Sequence, residues 1–334
     1  MSGAAKRIER MGRKRLARVL RHVLPAPDDS VPEEPGSILV VRPDSRLGNL
    51  VLMEPLVRSL KTRFPTSRIA VLTSDRFSEL LSSQGYETIA VPKALFAGRP
   101  WLFPSFASRL RRMGFEVAID ASHPRSFSLS GAVAAAICGA PARIGFAAGD
   151  YRGWFSRAVA PCRADCHESM ALHSLGSVWP GWPEWTRPRL EAAGAVARGT
   201  VGLHVGASRN KGYPTDRLRA VVGALAGKVR LEVYWGTARE RELAAGLEGR
   251  GVKLMPSMGI VEMLESMAGL RAFVSADNGP MHAASALGVP VAALFMMDDA
   301  ARFGPLSPGS RVLYAPGGAD PEDVVGTVLE IAGS

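Results

Sequence analysis

Three short segments carry the residue types that handle phosphates, sugars and protons. Val205-Gly-Ala-Ser-Arg-Asn-Lys-Gly-Tyr-Pro214 follows a β-branched run and offers backbone N–H groups together with Ser208, Arg209 and Lys211. Small residues let a chain approach a diphosphate closely, and the Lys211 ammonium can neutralise charge on a departing phosphate. Ala276-Asp-Asn-Gly-Pro-Met-His282 has a similar build, with Pro280 suited to a first helical turn and Gly279 free to take unusual dihedrals. There Asp277 can accept hydrogen bonds from sugar or ribose hydroxyls, while the helix start around Asn278 and Gly279 faces phosphate oxygens. The plainer alternative makes Asp277 an N-cap and His282 a buried, hydrogen-bonded side chain. In the third segment, Arg42-Pro-Asp-Ser-Arg-Leu-Gly-Asn49, Gly48 lets backbone approach a ligand and a helix N-terminus follows. Its alternative is a tight strand-to-helix turn.

Each segment needs a strand to end and a helix to begin, and the chain supplies that alternation. Ile38–Arg42, Val51–Arg63, Arg68–Thr73, Asp75–Ser83, Thr88–Val91, Trp101–Met113, Glu116–Asp120 and Phe127–Cys138 alternate short β-branched runs with amphipathic stretches. The pattern predicts right-handed βαβ crossovers and a parallel sheet covered on both faces. Residues 161–190 interrupt it with Pro161, Pro180, Pro183 and Pro188 around Trp179, Trp182 and Trp185, as a connection between domains would. A second series then runs through Val201–Val205, Asp216–Leu225, Arg230–Trp235, Arg239–Leu247, Val261–Met267, Ala272–Ala276, Met281–Leu287 and Val289–Phe295, with a closing helix over Pro321–Ile331. The expected architecture is α/β: two facing Rossmann-like domains, 37–185 and 186–334, with a central cleft. Ligands of such sheets bind beyond the carboxyl ends of the strands, so the loops after Arg42, Val205, Trp235 and Ala276 are where chemistry is expected.

Composition fits this reading. The chain has 334 residues, 47% hydrophobic and 22% charged, which suits two packed domains and excludes disorder. Of its formal charge of +10, the first 24 residues hold +7, so the body is near neutral and a whole-surface nucleic-acid binder is excluded. In residues 5–24, Ile8, Met11, Leu16, Val19, Leu20, Val23 and Leu24 recur at helical intervals among eight basic residues. This predicts an amphipathic helix lying on an anionic membrane surface, or else a frayed terminus or a helix packed on the body. Pro25, Pro27, Pro32 and Pro35 end the helix and make residues 1–36 an arm and linker. No signal-peptide core is expected at the start, and the longest uncharged stretch, Asn278–Met297, is broken by Pro280, His282 and Pro290, which argues against a membrane span. Three cysteines, Cys138, Cys162 and Cys166, are too few for a disulfide framework and predict free thiols in a reducing compartment. Cys162, Cys166 and His167 have no evident nearby fourth ligand for structural zinc except His173, and no metal site is expected.

The three segments resemble glycosyltransferase family 9, the ADP-heptose:lipopolysaccharide heptosyltransferases and their relatives. Ile38–Leu60 is similar to the family's strand, Gly-Asp and apolar helix; Gly206–Pro214 to its Gly-x-Ser…Lys-x-(aromatic)-Pro loop; and Asp277–Pro290 to its Asp-(Ser/Thr)-Gly-Pro-x-His-x-Ala-x-Ala-x-Gly-x-Pro signature. Weaker similarities at His167–Gly176, at Trp235-Gly236…Glu240 and at Ser257-Met258…Leu264 follow in the family's order. The resemblance implies a GT-B fold and an inverting, metal-independent transfer of a sugar, as heptose from ADP-heptose, to a glycolipid of the lipopolysaccharide-core kind, with no cofactor beyond the donor. It further implies donor contacts at Ser208, Lys211, Asp277, Asn278, Gly279 and His282, and nucleotide contacts at Gly236, Glu240 and Met258. An anionic acceptor would meet Arg42, Arg46 and Gly48. A bacterial enzyme of this kind would work in the cytoplasm at the inner face of the membrane.

One position departs from the family. An acidic residue proposed as general base follows the family's loop glycine, whereas this chain has Gly48-Asn49, and a neutral amide does not usefully accept a proton at pH 7. Three accounts follow: Asp44 in the same loop deprotonates the acceptor, Asn49 orients an acceptor deprotonated by another group, or the protein binds a sugar nucleotide without turnover. Glu54, further into the helix, is a poorer candidate for the base.

Overall fold

The computed structural model describes residues 15–43, 46–92, 103–163, 165–193, 196–207 and 211–333. They form two compact units. The first takes in the described residues of Met1–Ser45, Pro55–Ala164 and Ser169–Thr186, and the second those of Arg46–Glu54, Asp165–Glu168 and Arg187–Ser334.

In chain order the first part contains α1 (15–23), β1 (Ser37–Arg42), α2 (Leu47–Arg63), β2 (Arg68–Ser74), α3 (Ser78–Ser83), β3 (Glu87–Val91), α4 (Phe103–Arg112), β4 (Val117–Asp120), α5 (Leu129–Ile137), β5 (Ala142–Phe146), β6 (Arg157–Val159) and α6 (Glu168–His173). Its sheet has the order β3-β2-β1-β4-β5-β6, with every pairing parallel. Ile38 through Val41 are wholly buried because a parallel strand covered on both faces excludes water from both sets of side chains. Trp179 and Trp182 pack on this unit. Trp179 meets the Phe64 ring edge-on at 5.1 Å and donates to the Pro32 carbonyl, and Trp182 donates to the His173 carbonyl at 3.1 Å.

The second unit contains β7 (Val201–His204), α7 (Thr215–Ala226), β8 (Leu231–Tyr234), α8 (Ala238–Ala245), β9 (Val252–Leu254), α9 (Ile260–Ala268), β10 (Ala272–Ala276), α10 (Gly279–Ala286), β11 (Val291–Phe295), α11 (Ala300–Phe303), β12 (Arg311–Tyr314) and α12 (Pro321–Gly333). Its order is β12-β11-β10-β7-β8-β9, again all parallel. Counted from its own first strand, this is the topology of the first sheet. Each sheet therefore changes winding direction between its first and fourth strands, where open α/β sheets bind ligands.

Four strands lie outside the sequence expectation, and the reasons are physical. β6, β9 and β12 are short edge strands with exposed positions and lack the continuous apolar run of a central parallel strand. β5 is fully buried but carries Arg143 at its second position, where the guanidinium donates to the Pro25 carbonyl and burial lowers its pKa.

The described part of the arm, α1, packs on the body. Ala17 is buried, and Leu20 and Leu24 join it against Ala132, Ala136 and Trp154, while Leu16, Val19 and Val23 remain exposed. The apolar positions thus divide between two faces; residues 5–14 lie outside the described residues. No helix among the described residues is long and apolar enough to cross a membrane.

The cysteine expectation is corrected. Cys162 and Cys166 are disulfide-bonded, and Cys138 is a buried free thiol whose burial pushes its pKa up to about 11. A four-residue separation in a loop lets two side chains meet, so an odd cysteine count did not mean that all three were thiols. With that bond present, cysteine usage no longer argues for a reducing compartment.

Candidate functional site

The clearest cluster of chemical groups lies at the winding switch of the second sheet. β7 and β10 are hydrogen-bonded neighbours, with His204 opposite Ser275, so the loops that follow them emerge side by side. After β10 the turn is very short, since α10 begins at Gly279. Its N-cap is Asn278 rather than Asp277: the Asn278 Oδ1 accepts from the Met281 N–H at 2.9 Å, and Pro280 in the first turn has no N–H to satisfy. The Asn278 Nδ2 donates to the Gly206 carbonyl at 2.6 Å, and Ser275 Oγ donates to Asn278 Oδ1 at 3.0 Å. One side chain therefore caps the helix and ties together the two loops.

Freed from capping, the buried Asp277 carboxylate meets cations. Lys211 Nζ donates to Asp277 Oδ2 and, at 2.6 Å, to Asp299 Oδ2. His282 Nε2 stands 3.6 Å from Asp277 Oδ1. Burial works to raise the pKa of Asp277, but the His282 and Lys211 hydrogen bonds and charges outweigh it and hold the carboxyl below its ordinary value. Lys211 shows the complementary balance: burial opposes its charge, and the two carboxylates raise its pKa. The ammonium also stands 5.4 Å from the centre of the Phe303 ring. His282 belongs to this cluster, so it is both the buried, partnered side chain of the plainer reading and a neighbour of Lys211 and Asp277.

The start of α2 packs on the start of α10. A Cβ on Gly48 would lie 2.6 Å from His282 Cδ2, and one on Gly279 would lie 2.8 Å from the Leu47 Cβ, so both positions need glycine for close approach. This sets Asn49, half-buried in the first turn of α2, one residue from the His282 contact; its N–H donates to the Arg46 carbonyl at 3.2 Å. Glu54, the poorer candidate for the base, is buried and accepts from the Arg189 N–H at 2.9 Å.

A second network lies on the β8 side. Glu240, in the first turn of α8, accepts from the Gly236 N–H at 2.8 Å and lies directly on Gly206, where a Cβ would come within 1.8 Å of its Oε1. His204 is buried there and accepts from the Gly206 N–H at 3.0 Å; burial lowers its pKa although the Glu240 charge opposes this. Met258 is half-buried in the loop between β9 and α9. In the first unit Arg42 is buried, with its guanidinium donating to the Ala121 and Ser122 carbonyls, which positions the loop after β4. Arg46 is exposed. Asp44, Ser208 and Arg209 lie outside the described residues.

The structure thus brings together Lys211, Asp277, Asn278, Gly279 and His282, with Gly48 against them, and Gly236 and Glu240 beside Gly206. Asp299 is the member that sequence reasoning missed. Its signal was available: Asp298-Asp299 follows the apolar run Val291–Phe295 at another strand end.

This lysine, aspartate and capped-helix arrangement falls within residues 183–330, which match the family model described as glycosyltransferase family 9 (heptosyltransferase). These residues belong to glycosyltransferase family 9. Among solved structures the whole chain is similar to E. coli heptosyltransferase WaaC with ADP, at 18% identity and a TM-score of 0.74, over 88% of this chain and 99% of that one. It is similar also to E. coli ADP-heptose lps heptosyltransferase II, at 18% identity and a TM-score of 0.71, over 89% and 98%. A family 9 glycosyltransferase from Veillonella parvula DSM 2008 follows at 17% and 0.70, over 86% and 88%. No curated protein matches the chain in sequence. At these identities the likeness is one of fold, and the fold of two Rossmann-like units is GT-B. The family 9 stretch contains Lys211, Asp277, His282 and Asp299, whereas the Gly48-Asn49 turn lies before it.

Proposed function

We propose that this family 9 protein is an inverting glycosyltransferase that moves a sugar, heptose from ADP-heptose, onto an anionic cell-surface glycolipid of the lipopolysaccharide-core type. The observation that carries this reading is the Lys211–Asp277–His282 cluster at the N-terminus of α10. An ammonium and the positive end of the α10 dipole meet the charge of a leaving diphosphate, as the family resemblance implies, in place of a metal ion. Ser208 and Gly279 complete the diphosphate side, and Asp277 meets the sugar side. Gly236, Glu240 and Met258 border the nucleotide. On the acceptor side Arg46 and Gly48 serve an anionic glycolipid and the buried Arg42 holds the loop after β4, with Asp44 taking the proton and Asn49 orienting the hydroxyl. The basic arm, through residues 5–24, rests on the inner membrane surface beside that substrate.

Asn49 itself favours a second reading, a sugar-nucleotide binder without turnover. One experiment separates the two. Purified protein is titrated with ADP-, GDP-, UDP- and dTDP-sugars and then incubated with extracted glycolipid. Preference for ADP-heptose with release of ADP on transfer supports the transferase; tight binding with no transfer supports the binder; failure to bind any nucleotide sugar removes both.

A further inference from the structure

We propose that Asp299 reads the donor sugar: one carboxylate oxygen holds the Lys211 ammonium toward the diphosphate, and the other receives a hydroxyl of the sugar being transferred. The inference rests on the donor-site reading above and adds a residue and a substrate feature to it.

Asp299 follows β11, the strand beside β10, so it leaves the sheet next to the Asp277 turn. Its backbone is fixed on both sides. The N–H donates to the Met297 carbonyl at 2.9 Å, and its carbonyl accepts from the Arg302 and Phe303 N–H groups at 3.0 and 3.1 Å. It stands at the N-cap of α11, yet its side chain makes no capping bond. An aspartate at that position ordinarily turns its carboxylate onto the helix N–H groups. This one is turned onto Lys211 through Oδ2 instead, at 2.6 Å.

The other oxygen, Oδ1, is buried and has no hydrogen-bond partner among the described residues. A buried polar atom without a partner marks a place completed by something else. An ionised carboxylate oxygen only accepts, so the missing group is a donor: a hydroxyl suits it, and a phosphate oxygen does not. Lys211 already answers two carboxylates, while Asp277 is answered by both Lys211 and His282. Asp299 is therefore the carboxylate with an oxygen to spare, beside the ammonium assigned to the diphosphate. A nucleoside diphosphate lacks the sugar hydroxyl, and a nucleotide sugar brings it.

The test compares ADP with ADP-heptose by titration calorimetry on wild type, Asp299→Ala and Asp299→Asn. Wild type is expected to bind ADP-heptose more tightly than ADP. Asp299→Ala should weaken ADP-heptose about tenfold or more while binding ADP at least as tightly as wild type, because a negative charge beside Lys211 has gone. Asp299→Asn preserves the shape and an acceptor oxygen and should recover part of the lost sugar affinity. The inference is overturned if both ligands weaken together, which is a placement effect on Lys211 alone; if neither changes; or if wild type does not distinguish the two. Wild type that binds neither ligand overturns the donor-site reading as well, and the two failures are thus distinguishable.

Discussion

Asp120 and Asp277 occupy matching places in two sheets of one topology. Asp120 ends the fourth strand of the first sheet, and Asp277 follows the fourth strand of the second. Their surroundings drive them in opposite directions. Asp120 is buried, accepts from the Ser122 N–H at 3.1 Å, and is pushed up to about 6 because desolvation exceeds the help of Ser122 and the Arg42 charge. Asp277 is also buried, but Lys211 and His282 reach it and its pKa falls. The connections differ too: residues 121–128 separate Asp120 from α5, whereas Asn278 alone separates Asp277 from α10. In the first unit Ser128 caps α5 from eight residues along the chain, and the Asp120 carboxylate lies against Gly131 of that helix; in the second Asn278, the next residue to Asp277, caps α10. The lesson is that topology places a carboxylate at a strand end, and a short turn with a cation from the neighbouring loop converts it into a site.

Breaking the cation side should have the largest effect. Lys211→Ala is expected to lower transfer by about 10²–10³-fold, the scale of one lost preorganised charge contact, as measured by initial rates of nucleotide release. Arg42, the cation of the first unit, serves backbone carbonyls, so Arg42→Lys should alter stability more than donor affinity; calorimetric titration beside thermal melting would reveal the reverse.

The two aspartates should next separate by pH. Asp120 has a raised folded pKa, so its contribution to stability is fully present below the ordinary carboxyl value near 4 and is lost as pH rises through about 6. A shift of roughly two units corresponds to about 3 kcal/mol, which urea unfolding at pH 4 and pH 7 would register in wild type and not in Asp120→Asn. Asp277 has a lowered folded pKa, so its contribution is present above pH ~4 and is lost as pH falls through the folded value. Asp277→Asn should flatten that acid limb instead.

Smaller effects sharpen the packing side of the comparison. Gly48→Ala forces the His282 ring to move, since its Cδ2 is 2.6 Å from the new Cβ, and should cost about 1–3 kcal/mol in chemical unfolding. Least of all, Ser128→Ala and Asn278→Ala each remove an N-cap and should cost about 1 kcal/mol in stability. Asn278→Ala should in addition weaken nucleotide-sugar binding, because it releases the Gly206 loop, and Ser128→Ala should leave that binding unchanged.

Much of this was legible in the sequence. Central strands such as Ile38–Val41 are buried on both faces and announce themselves as apolar runs, and the glycines and lysine at strand ends pointed to the loops after β7 and β10. Other features were hidden by chemistry that appears only after folding. Arg143 disguises a buried strand, because its charge is satisfied by a carbonyl more than a hundred residues away. Asn278 takes the cap that the plainer reading gave to Asp277, a choice of geometry rather than of residue type. The Cys162–Cys166 bond depends on how one loop folds, and Asp299 becomes a partner of Lys211 only when β11 lies beside β10.

A crystal structure of the protein with ADP bound tests the central claim most directly. The account predicts diphosphate oxygens within about 3 Å of Lys211 Nζ and beside the N-terminus of α10. ADP seated with its phosphates away from both groups would contradict it.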